Sequence, residues 1–230
     1  MLVTAPEVAV ASPAIPLRSF ARLRRLLLPG AAVLLLALLS AWLMRPAYAL
    51  DLSRGQHLSQ VGLLQSWKKG ELVVLVRHAE RCDQASNPCL ADASGITIEG
   101  SDTAQQVGEA FKALGMAHTD VFSSPLVRTV QTSSFMFGKS VATQDWLKSC
   151  KATLQHDMLA HKAAHRNLLL VTHSTCINEL QDDLNRGGAH YDSAYTSALF
   201  VAVDSQTGKP KVLGYMNADG WAKLQAERVL

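Results

Sequence analysis

Two continuous apolar runs constrain the fold of this chain more than any other feature of its sequence. They are ELVVLV at residues 71–76 and NLLLVT at residues 167–172, and both are rich in leucine and β-branched residues. Neither run alternates apolar with polar residues, as a strand with one solvent-exposed face does. We therefore predict two strands that are buried on both faces of a sheet.

Predicted helices alternate with these strands along the chain. We expect helices over residues 58–67, 100–114, 125–137, 152–165 and 175–184, and further strands over residues 120–122, 198–203 and 211–215. Gly115 ends the second helix, Pro125 opens the third, and Gly187-Gly188 stops the last. The alternation predicts an α/β fold, a three-layer sandwich with a largely parallel central sheet.

Polar residues directly follow three of the predicted strands. Arg77-His78 come after the first strand, Ser123-Ser124 after the second and His173 after the third. In open α/β sheets, ligands bind just beyond the carboxyl ends of the strands. We therefore expect a functional site where these three segments meet at one edge of the sheet.

The first 49 residues have the pattern of an export signal. Arginines at positions 18–25 precede an apolar run over residues 26–44, and Ala47-Tyr48-Ala49 places small residues where a signal peptidase cleaves. We predict cleavage after Ala49; the alternative is an uncleaved membrane anchor, because the run is long enough to span a bilayer. Under both interpretations residues 50–230 are exported as one domain.

The charge of the chain excludes nucleic acid as an expected partner. Lys and Arg total 22 against 19 Asp and Glu, but residues 1–49 hold five of the arginines and only one acid, Glu7. The remaining 17 basic and 18 acidic residues leave the exported part close to neutral. We expect membrane contact only through the N-terminal segment, if it is not cleaved.

An even number of cysteines in an exported domain predicts disulfides. The four are Cys82, Cys89, Cys150 and Cys176, and none has the close spacing typical of a zinc site. Cys82 and Cys89 flank the turn-forming pair Asn87-Pro88. Of the three possible pairings, this favours Cys82–Cys89 with Cys150–Cys176.

The residues at the sheet edge suit phosphate chemistry. VRHAER at residues 76–81 places His78 between Arg77 and Arg81, while SSPLVRTVQ at residues 123–131 adds Arg128 and the third strand adds His173. Guanidinium groups match phosphate oxygens, and a neutral imidazole among them can attack phosphorus. The second imidazole can stabilise the transferring phosphoryl group, and this chemistry needs no metal.

These motifs resemble those of the histidine phosphatase (phosphoglycerate mutase-like) superfamily. Arg77-His78-Ala79 is similar to its RHG signature, with alanine in place of glycine, and the SSPLVRTVQ segment and Thr172-His173 match two further motifs in the same order. The resemblance covers residues 71–203. It implies that His78 accepts the phosphoryl group, that Arg77, Arg128 and His173 line the phosphate pocket, that Arg81 adds a phosphate contact, and that no cofactor is required.

The resemblance leaves the proton donor for the leaving group open. One branch of the superfamily uses a glutamate after the second helix, and none occurs in the comparable DWLKSC stretch at residues 145–150. Another branch uses an aspartate directly after the second histidine, where this chain has Ser174. We take Glu80 as the first candidate because it lies close to His78 in sequence, with Asp145 and Glu179 as alternatives.

A narrower resemblance implies a substrate and a compartment. RHAERCD, the GIT turn and TH-x-x-C resemble an exported branch of the superfamily that removes phosphate from heptose(II) of the lipopolysaccharide core in the periplasm. The expected partner is therefore phosphorylated lipopolysaccharide core or another sugar phosphate. The alternatives are a phosphatase for another periplasmic sugar phosphate or a phosphoprotein, and a catalytically inactive phosphate-binding module.

Overall fold

The computed structural model describes residues 33–36, 40, 50–150, 153–185 and 191–227. The chain divides into two compact units, Met1–Arg45 and Pro46–Leu230. In the first, residues 33–36 are helical and their apolar side chains are exposed. Among the described residues, no helix is long and apolar enough to cross a membrane. The predicted cleavage site at residues 47–49 and the helix stop at Gly187-Gly188 lie outside the described residues.

The two apolar runs form the centre of a six-stranded sheet. β1 (Leu72–Arg77) and β4 (Asn167–Thr172) pair in parallel, and the side chains of both are buried apart from that of Arg77. The other strands are β2 (Thr119–Ser123), β3 (Ala142–Thr143), β5 (Ala198–Val203) and β6 (Pro210–Met216). Their order across the sheet is β3-β2-β4-β1-β5-β6.

The prediction of a largely parallel sheet is wrong, because the sheet is mixed. β3, β2, β4 and β1 run parallel, whereas β5 pairs antiparallel with β1 and β6 antiparallel with β5. A continuous apolar run indicates burial on both faces and carries no information about the direction of the neighbouring strand. The carboxyl ends of β1, β2 and β4 therefore share one edge with the amino end of β5.

Eight described helices of the second unit pack around this sheet. They are α1 (His57–Gln60), α2 (Leu63–Lys69), α3 (Ile98–Leu114), α4 (Val127–Phe137), α5 (Trp146–Ser149), α6 (Leu154–His161), α7 (Ser174–Asn185) and α8 (Ala218–Ala226). The single helix predicted over residues 58–67 is two short helices divided at Gly62, which adopts a left-handed conformation.

Hydrophobic clusters cover both faces of the sheet. Because successive side chains of a strand point to opposite faces, Leu72, Val74 and Val76 join one cluster with α3 and α8, while Val73 and Leu75 join another with α6 and α7. All five of these β1 side chains are fully buried. Because β1 is buried on both faces, its carboxyl end, where Arg77 lies and after which His78 follows, is held in a defined position. The three-layer arrangement stays a prediction.

Both predicted disulfides are present. Cys82 and Cys89 lie 5.2 Å apart at their Cα atoms, and Cys150 and Cys176 lie 5.0 Å apart. The first closes the loop that follows β1. The second ties the residue after α5 to the first turn of α7, directly beyond His173.

Candidate active site

The predicted site residues meet at one edge of the sheet. Arg77 ends β1, Ser124 follows β2 and His173 follows β4. The ring centroids of His78 and His173 lie 5.4 Å apart, and both side chains are buried. The parallel pairing of β1, β2 and β4 explains this convergence, because it aligns their carboxyl ends.

The contacts of His78 place the lone pair of its neutral ring on Nε2. Its Nδ1 lies 2.8 Å from the carbonyl oxygen of Ala79, which can only accept a hydrogen bond, so Nδ1 carries the proton of the neutral ring. The pKa of His78 is lowered to about 3, mainly by burial, with further contributions from His173, Arg128 and Arg77; the hydrogen bond to Ala79 opposes this shift. At neutral pH the imidazole is therefore uncharged and able to act as a nucleophile.

His173 is held at both ring nitrogens. Ser124 Oγ lies 2.9 Å from Nε2, and Arg128 Nη2 lies 3.3 Å from Nδ1. The pKa of His173 is lowered to about 4, mainly by burial, with further contributions from the charges of Arg128, Arg81 and Arg77. His173 is therefore also neutral at neutral pH in this structure.

Two guanidinium groups offer donors to a ligand. The Nη1 of Arg77 donates to the carbonyl oxygen of Ser193 at 2.5 Å. The Nε atoms of Arg77 and Arg128 are buried, and neither has a hydrogen-bond partner within the described part of the chain. The charges of both guanidinium groups lower the pKa of His78 and of His173, so they lie near the two imidazoles, where positive charge attracts an anion such as phosphate.

Arg81 and Glu80 have other partners in this structure. Arg81 forms a two-pronged ion pair with Asp83, at 2.8 Å from Nε and 2.5 Å from Nη2. Its charge still lowers the pKa of His173. Glu80 Oε2 accepts hydrogen bonds from Thr97 Oγ1 and Asn87 Nδ2, each at 2.8 Å. Its role as proton donor stays a prediction.

Tyr195 is a site residue that the sequence did not reveal. Its ring lies 4.0 Å from the guanidinium carbon of Arg77 and 5.7 Å from the ring of His78. The backbone next to Tyr195 is hydrogen-bonded to the same two residues: Arg77 N donates to Ser197 O, and Thr196 N donates to His78 O. Tyr195 precedes the antiparallel strand β5, so its place at this edge follows from the strand direction that the sequence did not predict. Ser124, in contrast, directly follows a predicted strand, and this position in the sequence indicated that it belongs to the site.

Comparison with known proteins identifies the family. The model of the histidine phosphatase superfamily (branch 1) matches residues 73–148. The lipopolysaccharide core heptose(II)-phosphate phosphatase of Salmonella paratyphi B is 33% identical over 141 residues, which make up 60% of this chain and 69% of that protein. The chain belongs to the histidine phosphatase superfamily.

Solved structures share the fold of this histidine phosphatase. The protein histidine phosphatase SixA, in complex with tungstate, is 19% identical with a TM-score of 0.50, over 64% of this chain and 97% of SixA. The phosphoserine phosphatase of Entamoeba histolytica, in complex with 3-phosphoglyceric acid, is 14% identical with a TM-score of 0.50, over 65% of this chain and 98% of that protein. The predicted family is confirmed, and this histidine phosphatase is a phosphoric monoester hydrolase.

Proposed function

We propose that this enzyme is an exported phosphatase that hydrolyses a phosphorylated sugar through a phosphohistidine on His78. The observation that carries the proposal is a buried, neutral His78, protonated on Nδ1, that lies 5.4 Å from the ring of His173 and whose pKa is lowered by the charges of Arg77 and Arg128. A neutral imidazole beside a second imidazole and two guanidinium groups has the layout of a covalent phosphoryl-transfer site.

The reaction takes two steps. Nε2 of His78 attacks phosphorus, an N–P bond forms and the P–O bond to the sugar breaks, while Arg77 and Arg128 balance the charge of the phosphoryl oxygens. The departing alkoxide takes a proton, for which Glu80 is our candidate through its Oε1, since Oε2 is held by Thr97 and Asn87. Water then attacks phosphorus and gives a proton back to Glu80, the N–P bond breaks, and inorganic phosphate leaves with His78 and Glu80 restored.

The proposed substrate is heptose(II) phosphate of the lipopolysaccharide core. The support is the printed function of the Salmonella relative and the motifs that this chain shares with it. The periplasm is the proposed compartment, because two disulfides and an arginine-led apolar N-terminal segment both fit export. Residues 1–49 would be the signal or anchor and residues 50–230 the phosphatase domain.

The first experiment measures phosphate release from an aryl phosphate in EDTA. We expect activity in the wild type and its loss in His78→Ala, with His118→Ala, a change at an exposed histidine, as the matched control. The same preparations are then incubated with purified phosphorylated lipopolysaccharide. No His78-dependent release from either substrate by folded protein would contradict hydrolysis and favour a phosphate-binding module.

The role of Glu80 is tested separately with Glu80→Gln. An aryl oxide leaves without much help, whereas a sugar alkoxide needs a proton, so loss of a general acid slows sugar phosphate hydrolysis more than aryl phosphate hydrolysis. We expect about a hundredfold loss for the sugar phosphate and a small loss for the aryl phosphate. Equal losses would show that Glu80 is not the proton donor.

A further inference from the structure

The contacts of His173 define its tautomer. Arginine has five N–H donors and no acceptor, so the approach of Arg128 Nη2 to Nδ1 at 3.3 Å requires a lone pair on Nδ1. The proton of the neutral ring must then lie on Nε2, where it is donated to Ser124 Oγ at 2.9 Å. In this state, His173 has no free N–H to offer a phosphate oxygen.

Ser124 is a rigid anchor for this ring. It is fully buried, its backbone N donates to Val171 O at 2.9 Å, and its carbonyl oxygen accepts from Thr129 Oγ1 at 2.8 Å. These bonds connect it to β4 on one side and to α4 on the other. The hydroxyl group is therefore held in place, and the Nε2 edge of His173 is held with it.

We infer that Ser124 is a positioning residue that keeps Nδ1 of His173 facing the phosphate site, and that a bound phosphate makes His173 take up a proton there. The phosphate competes for Arg128 Nη2, which leaves Nδ1 without its donor. One proton passes from solvent to the Nδ1 lone pair, while Nε2–H stays on Ser124. The imidazolium can then donate to a phosphate oxygen. This inference rests on the proposed role of the pocket as a phosphate site.

The charges around His173 account for the coupling to occupancy. Arg77 and Arg81 approach from β1 and the loop after it, and Arg128 from α4; Asp83 is paired with Arg81, and His78 is neutral. Burial and these cations hold the pKa of His173 far below neutrality in this structure. A phosphate ester carries about −1.5 to −2 charges at neutral pH, which offsets the guanidinium groups and raises that pKa.

The test counts protons during binding of inorganic phosphate to the full-length protein. Calorimetric titrations at pH 7 in two buffers with different ionisation enthalpies give the number of protons exchanged. We expect the wild type to take up about one proton more per phosphate than His173→Gln. His78→Ala should take up about as many protons per phosphate as the wild type, because the proton goes to His173. The ionisation of phosphate itself is common to all variants and cancels in the comparison.

Ser124→Ala separates positioning from charge. It leaves Nε2–H of the imidazolium buried without an acceptor, so we expect weaker phosphate binding by about tenfold, with a smaller proton uptake. Ser123→Ala is the matched control, since Ser123 is equally buried and its hydroxyl donates to the carbonyl of Ser124 without touching His173. We expect it to bind phosphate within about twofold of the wild type.

The remaining outcomes distinguish failure of this inference from failure of the proposed phosphate site. Unchanged affinity and proton uptake in Ser124→Ala, or the same uptake in His173→Gln as in the wild type, would overturn the inference while leaving the proposed phosphatase function intact. A wild type that does not bind phosphate would refute the phosphate site itself, and the inference with it.

Discussion

The buried, neutral state of His78 should make the stability of the protein fall in mild acid. Above pH 6.5 the imidazole is neutral in both the folded and the unfolded chain and contributes no pH dependence. Below pH 6.5 the unfolded chain binds a proton that the folded chain refuses, because the folded pKa is about 3. The free energy of unfolding then falls by about 1.4 kcal/mol per pH unit for this one site. Between pH 8 and pH 4.5 the loss amounts to about 2.7 kcal/mol.

The assay is urea unfolding at half-unit steps between pH 4.5 and pH 8, on the wild type and on His78→Gln. The variant has no titrating group at this position, so below pH 6.5 its stability should fall less steeply than that of the wild type, by about 1.4 kcal/mol per pH unit. This expectation needs only that the folded pKa stays below 4.5. The exposed His118→Gln serves as the control. If His78→Gln and the wild type lose stability in parallel, the desolvated, neutral state of His78 is refuted.

Two further predictions concern Tyr195 and the second disulfide. Tyr195→Leu removes the aromatic ring from Arg77, so we expect KM for an aryl phosphate to rise about threefold. Tyr195→Phe keeps the ring and should have a KM near that of the wild type. Steady-state kinetics measure both values, and an equal rise in KM for the two variants would count against the ring contact. Replacing both Cys150 and Cys176 by alanine opens a loop with a sequence separation of 26 residues. Loop entropy then predicts a loss of about 3.5 kcal/mol of unfolding free energy, measured by urea unfolding, and a loss below about 1 kcal/mol would contradict it.

The strands could be predicted where burial alone defines them. The runs that form β1 and β4 are apolar throughout, so their position and burial follow from the sequence. The direction of β5 could not be predicted, because it depends on how the chain between β4 and β5 returns to the sheet. The run at residues 198–203 was identified as a strand with its observed bounds, yet it pairs antiparallel with β1.

Because strand direction could not be predicted, only some of the site residues could be found from the sequence. A search beyond the carboxyl ends of strands locates His78, His173 and Ser124, because the strands before them are parallel. Tyr195 comes before a strand, and only the antiparallel direction of β5 brings it to this edge. Its aromatic side chain gave no sign of this, since a tyrosine in a chain of this composition is more often part of the core.

The place of β5 in the sheet also sets the order in which the enzyme can be completed as the chain is made. Arg77 donates to carbonyl oxygens of Ser193 and Ser197, and the first of these lies 116 positions further along the chain. Until residue 203 is available, one edge of β1 has no partner, and an unpaired apolar strand is a template for wrong association. A chain that is made amino end first therefore contains His78 early and completes the surroundings of Arg77 only after β5 has formed.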